Sequence, residues 1–190
     1  MKRIAVIFLS LLFCLSVAGA KDNPVSLESG NILILKNTAA AVIEFDYSTM
    51  TIDGAPEAEY LSMQDEQYRA DWQGVKTDAE AYFGPMFSKY IKGWTVSYAD
   101  VPCQYRIVVR IETLSLGNMG QMFNPFSGAK AGGAEVSGKL TFVDLNTGET
   151  ECVVAFAGVK GVTSFTEAAR WGTAYMYLTK SLGKLLKQTK

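Results

Sequence analysis

The chain contains no histidine among its 190 residues. A Ser-His-Asp triad, a Cys-His dyad, a histidine-ligated zinc and a histidine pH switch are therefore excluded within it. Cysteine is scarce, three in all, and proline scarcer than glycine, five against 17. There is no Gly-x-Ser-x-Gly elbow, no Gly-x-Gly-x-x-Gly fingerprint and no phosphate loop. An excess of basic charge is also lacking, with 18 Lys and Arg against 19 Asp and Glu. No nucleic-acid partner is expected from that balance. At 48% hydrophobic and 19% charged, the composition is that of one ordinary globular domain.

The single long apolar run stands at the start. Lys2 and Arg3 precede Ile4 to Val17, and Ala18-Gly19-Ala20 follows. A basic segment, a short apolar segment and small residues at −3 and −1 are the marks of a cleaved signal peptide. Residues 1–20 are read as that peptide, with cleavage after Ala20, and 21–190 as a single domain. The run is short of the ~20 apolar residues that span a bilayer. Phe13 precedes Cys14 where a lipobox needs a small residue. Removing Lys2 and Arg3 leaves 16 basic against 19 acidic side chains, a formal charge of −3. No transmembrane span is expected in the mature chain. Cys103 and Cys152 remain, an even pair in an exported protein.

Along the mature chain, 21–30 reads as a loose lead-in and Ile32 to Leu35 as a short strand. Ala40 to Tyr47 alternates, with Ala41, Ile43, Phe45 and Tyr47 on one face. Residues 48–64 read as a connection, and from Asp65 the spacing turns helical through Tyr68, Trp72, Val75, Ala79, Met86 and Tyr90. Gly84-Pro85 predicts a kink or restart, and Gly93 a stop. Trp94 to Tyr98 is a short strand. Gln104 to Leu116 is a long one, with Tyr105, Ile107, Val109, Ile111 and Thr113 inward and Arg106, Arg110 and Glu112 outward in cross-strand ion pairs.

The strongest local signal is a hairpin. Val136, Gly138, Leu140 and Phe142 alternate before Asn146-Thr147-Gly148, and Cys152, Val154 and Phe156 follow. A three-residue turn closing on Gly148 pairs Phe142 with Cys152, Leu140 with Val154 and Gly138 with Phe156. The last helix starts with a capping box, Ser164-Phe165-Thr166-Glu167. Its apolar stripe runs Phe165, Ala168, Gly172, Tyr175, Thr179, Leu182 and Leu186, and Lys180, Lys184, Lys187 and Lys190 crowd its end. The fold class is α+β: an antiparallel sheet of about four to six strands with two main helices packed on one face. In such a meander Cys103 and Cys152 point inward two strand spacings apart, too far for a disulfide.

The stretch Val143-Asp144-Leu145-Asn146-Thr147-Gly148-Glu149, followed by an alanine-rich helix from Ala168 through Leu186, resembles small α+β domains of Gram-negative envelope proteins. Examples are the curli secretion channel family and the amino-terminal domain of the Tol–Pal translocation protein, with several exported families of unknown function. The resemblance implies an envelope location and an assembly or binding role, and supplies no catalytic residue. The chain departs from the curli family in lacking a lipobox cysteine and a pore-forming insertion, so channel function does not carry over.

Several constellations have a chemical and a structural reading. Glu44 and Asp46 share a strand face, Asp53-Gly54 begins like a calcium loop, and Arg106, Arg110 and Glu112 line a surface. Solvated faces, a plain turn and ion pairing account for them. Tyr82, Phe83, Phe87 and Tyr90 form an aromatic group suited either to a flat ligand or to the core. The lysine row suits either lipid headgroups or the helix dipole. Residues 117–133 are a glycine-rich loop that carries Met119, Met122, Phe123 and Phe126. Apolar side chains on a long loop call for burial, either in a gap of the chain's own core or against a partner, a ligand or a lipid surface; on the second reading Met122, Phe123 and Phe126 are the expected contact residues. The expected function is a non-enzymatic binding or assembly role in the envelope, periplasmic or envelope-associated, with another envelope protein or a second copy as partner and no cofactor or metal. The alternatives are a binder of a small apolar or aromatic ligand between sheet and helices, and a hydrolase or lyase built on carboxylates and tyrosines.

Overall fold

The computed structural model describes residues 23–117 and 132–189. Strands β1 (Val25–Gly30), β2 (Ala39–Asp46), β3 (Thr51–Ile52), β4 (Ala55–Pro56), β5 (Trp94–Ser97), β6 (Tyr105–Ser115), β7 (Glu135–Asp144) and β8 (Thr150–Lys160) form one sheet. Its main path runs β1-β8-β7-β6-β2-β5, with β3 on β6 and β4 on β3. Helices α1 (Glu57–Ser62), α2 (Glu66–Glu80), α3 (Phe83–Tyr90) and α4 (Glu167–Gln188) complete it, with a 3-10 helix at Ile32–Lys36. No helix among the described residues is long and apolar enough to cross a membrane.

The α+β class holds, but the sheet has eight strands and is mixed. β2 runs parallel to both β5 and β6, and β3 runs parallel to β6. The antiparallel rule applies where a hairpin joins neighbours, as in β7–β8. Between β2 and β5 lie α1, α2 and α3, and such a helical crossover returns the chain in the same direction. Other elements differ as well, and residues 48–64, expected as a connection, hold β3, β4 and α1. Residues 25–30 form the edge strand β1 by pairing with β8 rather than a lead-in; only Val25 is buried, so no alternation shows in the sequence. The apolar run at 32–35 is a 3-10 turn, started by Asn31, whose side chain accepts from the Leu33 N–H. An unbroken apolar run is compatible with either conformation. Thr166 rather than Ser164 caps α4, accepting from the Ala169 N–H at 3.2 Å. Phe165 therefore lies outside the helix, 70% exposed.

The hairpin register is as expected, Phe142 opposite Cys152, Leu140 opposite Val154 and Gly138 opposite Phe156. The turn is one residue longer, however. The Gly148 N–H donates to the Asp144 carbonyl, and the Asp144 N–H to that of Glu149. A bulge at Glu151, between the pairs Phe142–Cys152 and Val143–Thr150, absorbs the extra residue. A second bulge, at Glu112 in β6, switches the parity there. Thr113 is exposed, and Leu114 and Leu116 take its place in the core.

The inner face of the sheet and the helices bury Ile43, Ile107, Val109, Leu140, Phe142 and Phe156 against Phe83, Phe87, Trp171 and Tyr175. The outer face carries Arg106–Glu44 at 3.4 Å, Arg110–Asp46 at 2.7 Å and Lys139–Glu28 at 2.8 Å. Both carboxylates singled out on β2 are thus neutralised by β6. Asp53 and Gly54, at φ +49° and +90°, make the tight turn between β3 and β4. Cys103 and Cys152 are free thiols, and β7 lies between the strands that follow and contain them. Cys103 is half-buried rather than in the core, its thiol donating to the Tyr105 carbonyl.

Candidate functional site

Helix α4 is the element around which the surface features are arranged. Gly172 and Gly183 lie on its α3-facing side. A Cβ at Gly172 would meet the Tyr82 ring at 2.3 Å, and one at Gly183 would meet Tyr90 Cβ at 3.2 Å. These two glycines let α3 lie close against α4. Of the aromatic group, Phe83 and Phe87 stack at 5.7 Å inside the core. Tyr82 and Tyr90 lean on the α4 glycines instead.

Below Gly183 the packing opens. A cleft of about 300 Å³ is lined by Leu35, Lys36, Tyr90, Lys92, Gly183, Leu186 and Lys187. A second, of about 170 Å³, shares Tyr90, Gly183 and Lys187 and adds Lys180 and Lys184. Five lysines from the 3-10 helix, the chain after α3 and the end of α4 thus rim one recess. No acidic side chain lines it. All five are exposed. Lys36 donates to the Thr189 carbonyl at 2.8 Å, one of the acceptors left over at the helix end. The Lys89 ammonium lies 5.7 Å from the Tyr90 ring centre, and the Lys180 ammonium 5.6 Å from that of Tyr177. Lys180, Lys184 and Lys187 were legible as a helical row. Lys36 and Lys92 were not, because only the tertiary fold brings them to the same pole.

The opposite pole of α4 is built differently. Arg170 is buried, and its guanidinium donates to the carbonyls of Leu116 at 2.9 Å, Ser164 at 2.9 Å and Phe165 at 3.4 Å. Glu167 stands 3.8 Å away and accepts from the Tyr68 hydroxyl at 2.7 Å. Burial holds the Tyr68 phenol above its ordinary range. This arginine ties the end of β6 to the start of α4. Met122, Phe123 and Phe126, expected as contact residues, lie outside the described residues.

Between the poles, the Tyr47 hydroxyl donates to Glu80 at 2.8 Å and lies 3.3 Å from the Tyr175 hydroxyl. Burial raises the Glu80 carboxyl above its ordinary value and the phenols of Tyr47 and Tyr175 well above theirs. The phenols stay protonated and serve as hydrogen-bond groups, not as bases. Glu57 borders a groove of about 380 Å³ beside the β2–β3 turn. Its carboxylate is already held by Trp72 Nε1 at 2.6 Å and Lys76 Nζ at 2.9 Å. Burial pushes the Cys152 thiol up to about 11, which makes it a protonated core group. Among the described residues no three His, Cys, Asp or Glu side chains cluster as a metal site.

No family model and no curated protein matches the chain. Among solved structures it is similar to the PelC dodecamer from Paraburkholderia phytofirmans, 14% identical, covering 85% of this chain and 95% of that one at a TM-score of 0.41. A point variant of the same PelC is 10% identical, covering 83% and 97% at a TM-score of 0.39. Similarity at that level carries no inference about function.

Proposed function

We propose that the protein is a non-enzymatic component of a Gram-negative type envelope, exported by residues 1–20, and that it binds or assembles with an anionic component of that envelope. One observation carries the reading. In a mature chain of net negative charge, five lysines from three separate parts of the sequence meet around one recess with no lining acid. Like charges brought together repel, and the helix dipole answers only the one in the last turn, Lys187, so most of the pole's charge is left without a partner of opposite sign. A binding role also agrees with the state of the polar groups elsewhere. The carboxylates of Glu44, Asp46 and Glu57 are paired, and the hydroxyls of Tyr47, Tyr68 and Tyr98 are hydrogen-bonded.

The test is fractionation of the native cell, comparing the wild type with the triple variant Lys180→Gln, Lys184→Gln and Lys187→Gln. The expected result is a mature chain beginning at Lys21, with the wild type retained in washed envelopes and the variant released. Equal retention of the two would sink the reading.

A further inference from the structure

Resting on that reading, we infer that the anionic component is the phospholipid surface of a bilayer, onto which the lysine pole docks. The geometry selects an extended anionic surface over a single captured anion. A small anion is held by convergent N–H groups, typically at a helix N-terminus. Here the recess lies at the C-terminal end of α4, where the helix dipole is negative and the Thr189 carbonyl is close enough to take a bond from Lys36. A phosphate seated there would face that negative end. Lys36 is drawn in to the Thr189 carbonyl, while the other four lysines are exposed on long stems, able each to meet a separate headgroup.

The residue types point the same way. All five rim cations are lysine. An ammonium is a point charge without the planar fork that matches a carboxylate in a defined pose. Such a set tolerates many headgroup arrangements, as a fluid surface requires. Tyr90 and Tyr177, both half-buried, stand among the lysines with ammoniums near their rings. An aromatic body with a polar tip is the side chain favoured at the headgroup level of a membrane. An acidic protein segment is the competing occupant. It would be expected to meet carboxylate donors of fixed geometry, and the rim, whose cations are lysine alone, offers none.

The experiment uses the chain as processed by an exporting host, with its mature N-terminus verified by mass. Co-sedimentation is measured with vesicles of phosphatidylcholine alone and of phosphatidylcholine mixed with phosphatidylglycerol. Binding to the mixed vesicles and not to the neutral ones is expected. The triple glutamine variant is expected to bind the mixed vesicles about 100-fold more weakly, at roughly fivefold per lysine. Raising the salt to about 0.5 M should weaken the wild type in the same direction. The thermal transition of the variant shows whether it is folded. Equal binding to both compositions, or an unchanged affinity of a folded variant, overturns the inference. Release from mixed vesicles by millimolar inorganic phosphate at constant ionic strength also overturns it, because that outcome means a single-anion site. Capture by polyglutamate with no vesicle binding assigns the pole to an acidic protein. Loss of envelope retention in the variant without any vesicle binding leaves the anionic-component reading standing and removes the bilayer alone.

Discussion

At the N-terminal end of α4, Arg170 is 5% exposed and spends its guanidinium on the carbonyls of Leu116, Ser164 and Phe165. At the C-terminal end, Lys180, Lys184 and Lys187 are exposed around the recess beside Tyr90. The helix dipole favours cations at the second place and disfavours them at the first. Yet the cation in the unfavourable place is the buried one. Its cost is offset by charge-assisted bonds to carbonyls that would otherwise lack a donor, and a planar fork reaches several of them at once. The lysines stabilise the helix end slightly and keep their charge available. Cations at one pole order the chain, and those at the other are left exposed to solvent.

The sheet sets the scale for both poles. Phe156 is 2% exposed, with its ring over Gly138, and Phe156→Ala is expected to cost about 3–5 kcal/mol. Glu135 on the same hairpin pairs with Lys160 on the surface, and Glu135→Ala should change stability by less than about 0.5 kcal/mol. Urea melts of both variants decide. Equal small effects would mean that the hairpin register is wrong. Next in size is Arg170→Met, which keeps the aliphatic bulk and removes the donors. Leaving the buried Leu116 carbonyl without its donor and Glu167 without its cation is expected to cost about 2–4 kcal/mol. Hydrogen exchange should also rise at the end of β6 and the start of α4. A variant as stable as the wild type would erase the contrast between the poles.

The hairpin register was legible because two signals, strand alternation and the Gly148 turn, agreed. The bulges at Glu112 and Glu151 were not, since an inserted residue leaves no local mark. β1 was illegible for the opposite reason: an edge strand with one buried residue shows no alternation. The parallel pairing of β2 with β5 and β6 rests on a crossover through α1–α3, which no local spacing reports. At the candidate site the division is the same. Lys180, Lys184 and Lys187 could be read from their helical spacing, and Lys36 and Lys92 only from the fold. Arg170, in the first turn of a helix, reads as a solvent residue. Nothing in the sequence marks the carbonyls waiting for it.

Between the poles, Glu80 tests whether the middle of the helix pair behaves as either end does. Burial raises its carboxyl above the ordinary value of 4.5, against the lowering effects of Tyr47 and Lys76. A raised native value means that the folded chain holds the proton more tightly than the unfolded one. The stability this contributes is fully present below the ordinary value and is lost as pH rises through the folded value. Glu80→Gln keeps an acceptor for the Tyr47 hydroxyl and removes the titration. The wild type should therefore lose more stability than the variant as pH rises from the ordinary value of 4.5 through the raised folded value, and run parallel to it above. Parallel profiles throughout would show that Glu80 is solvated like a surface carboxylate.

The smallest expected effect falls on the lysine pole itself. Lys184→Gln removes an exposed charge in the last turns of α4, where the dipole contribution is about 0.3–1 kcal/mol at most. Neighbouring lysines repel each other there, which offsets part of that loss. A change within about 0.5 kcal/mol is expected. Lys36→Gln should cost slightly more, because it also removes the donor to the Thr189 carbonyl. Thermal melts at low and high salt separate the two contributions. If repulsion among the rim lysines is the larger one, Lys184→Gln becomes neutral or stabilising at low salt and loses that advantage as salt screens the pole. A large loss of stability from either single change would mean that the lysines hold the fold together as Arg170 does, and the two ends of α4 would then differ in exposure but not in role.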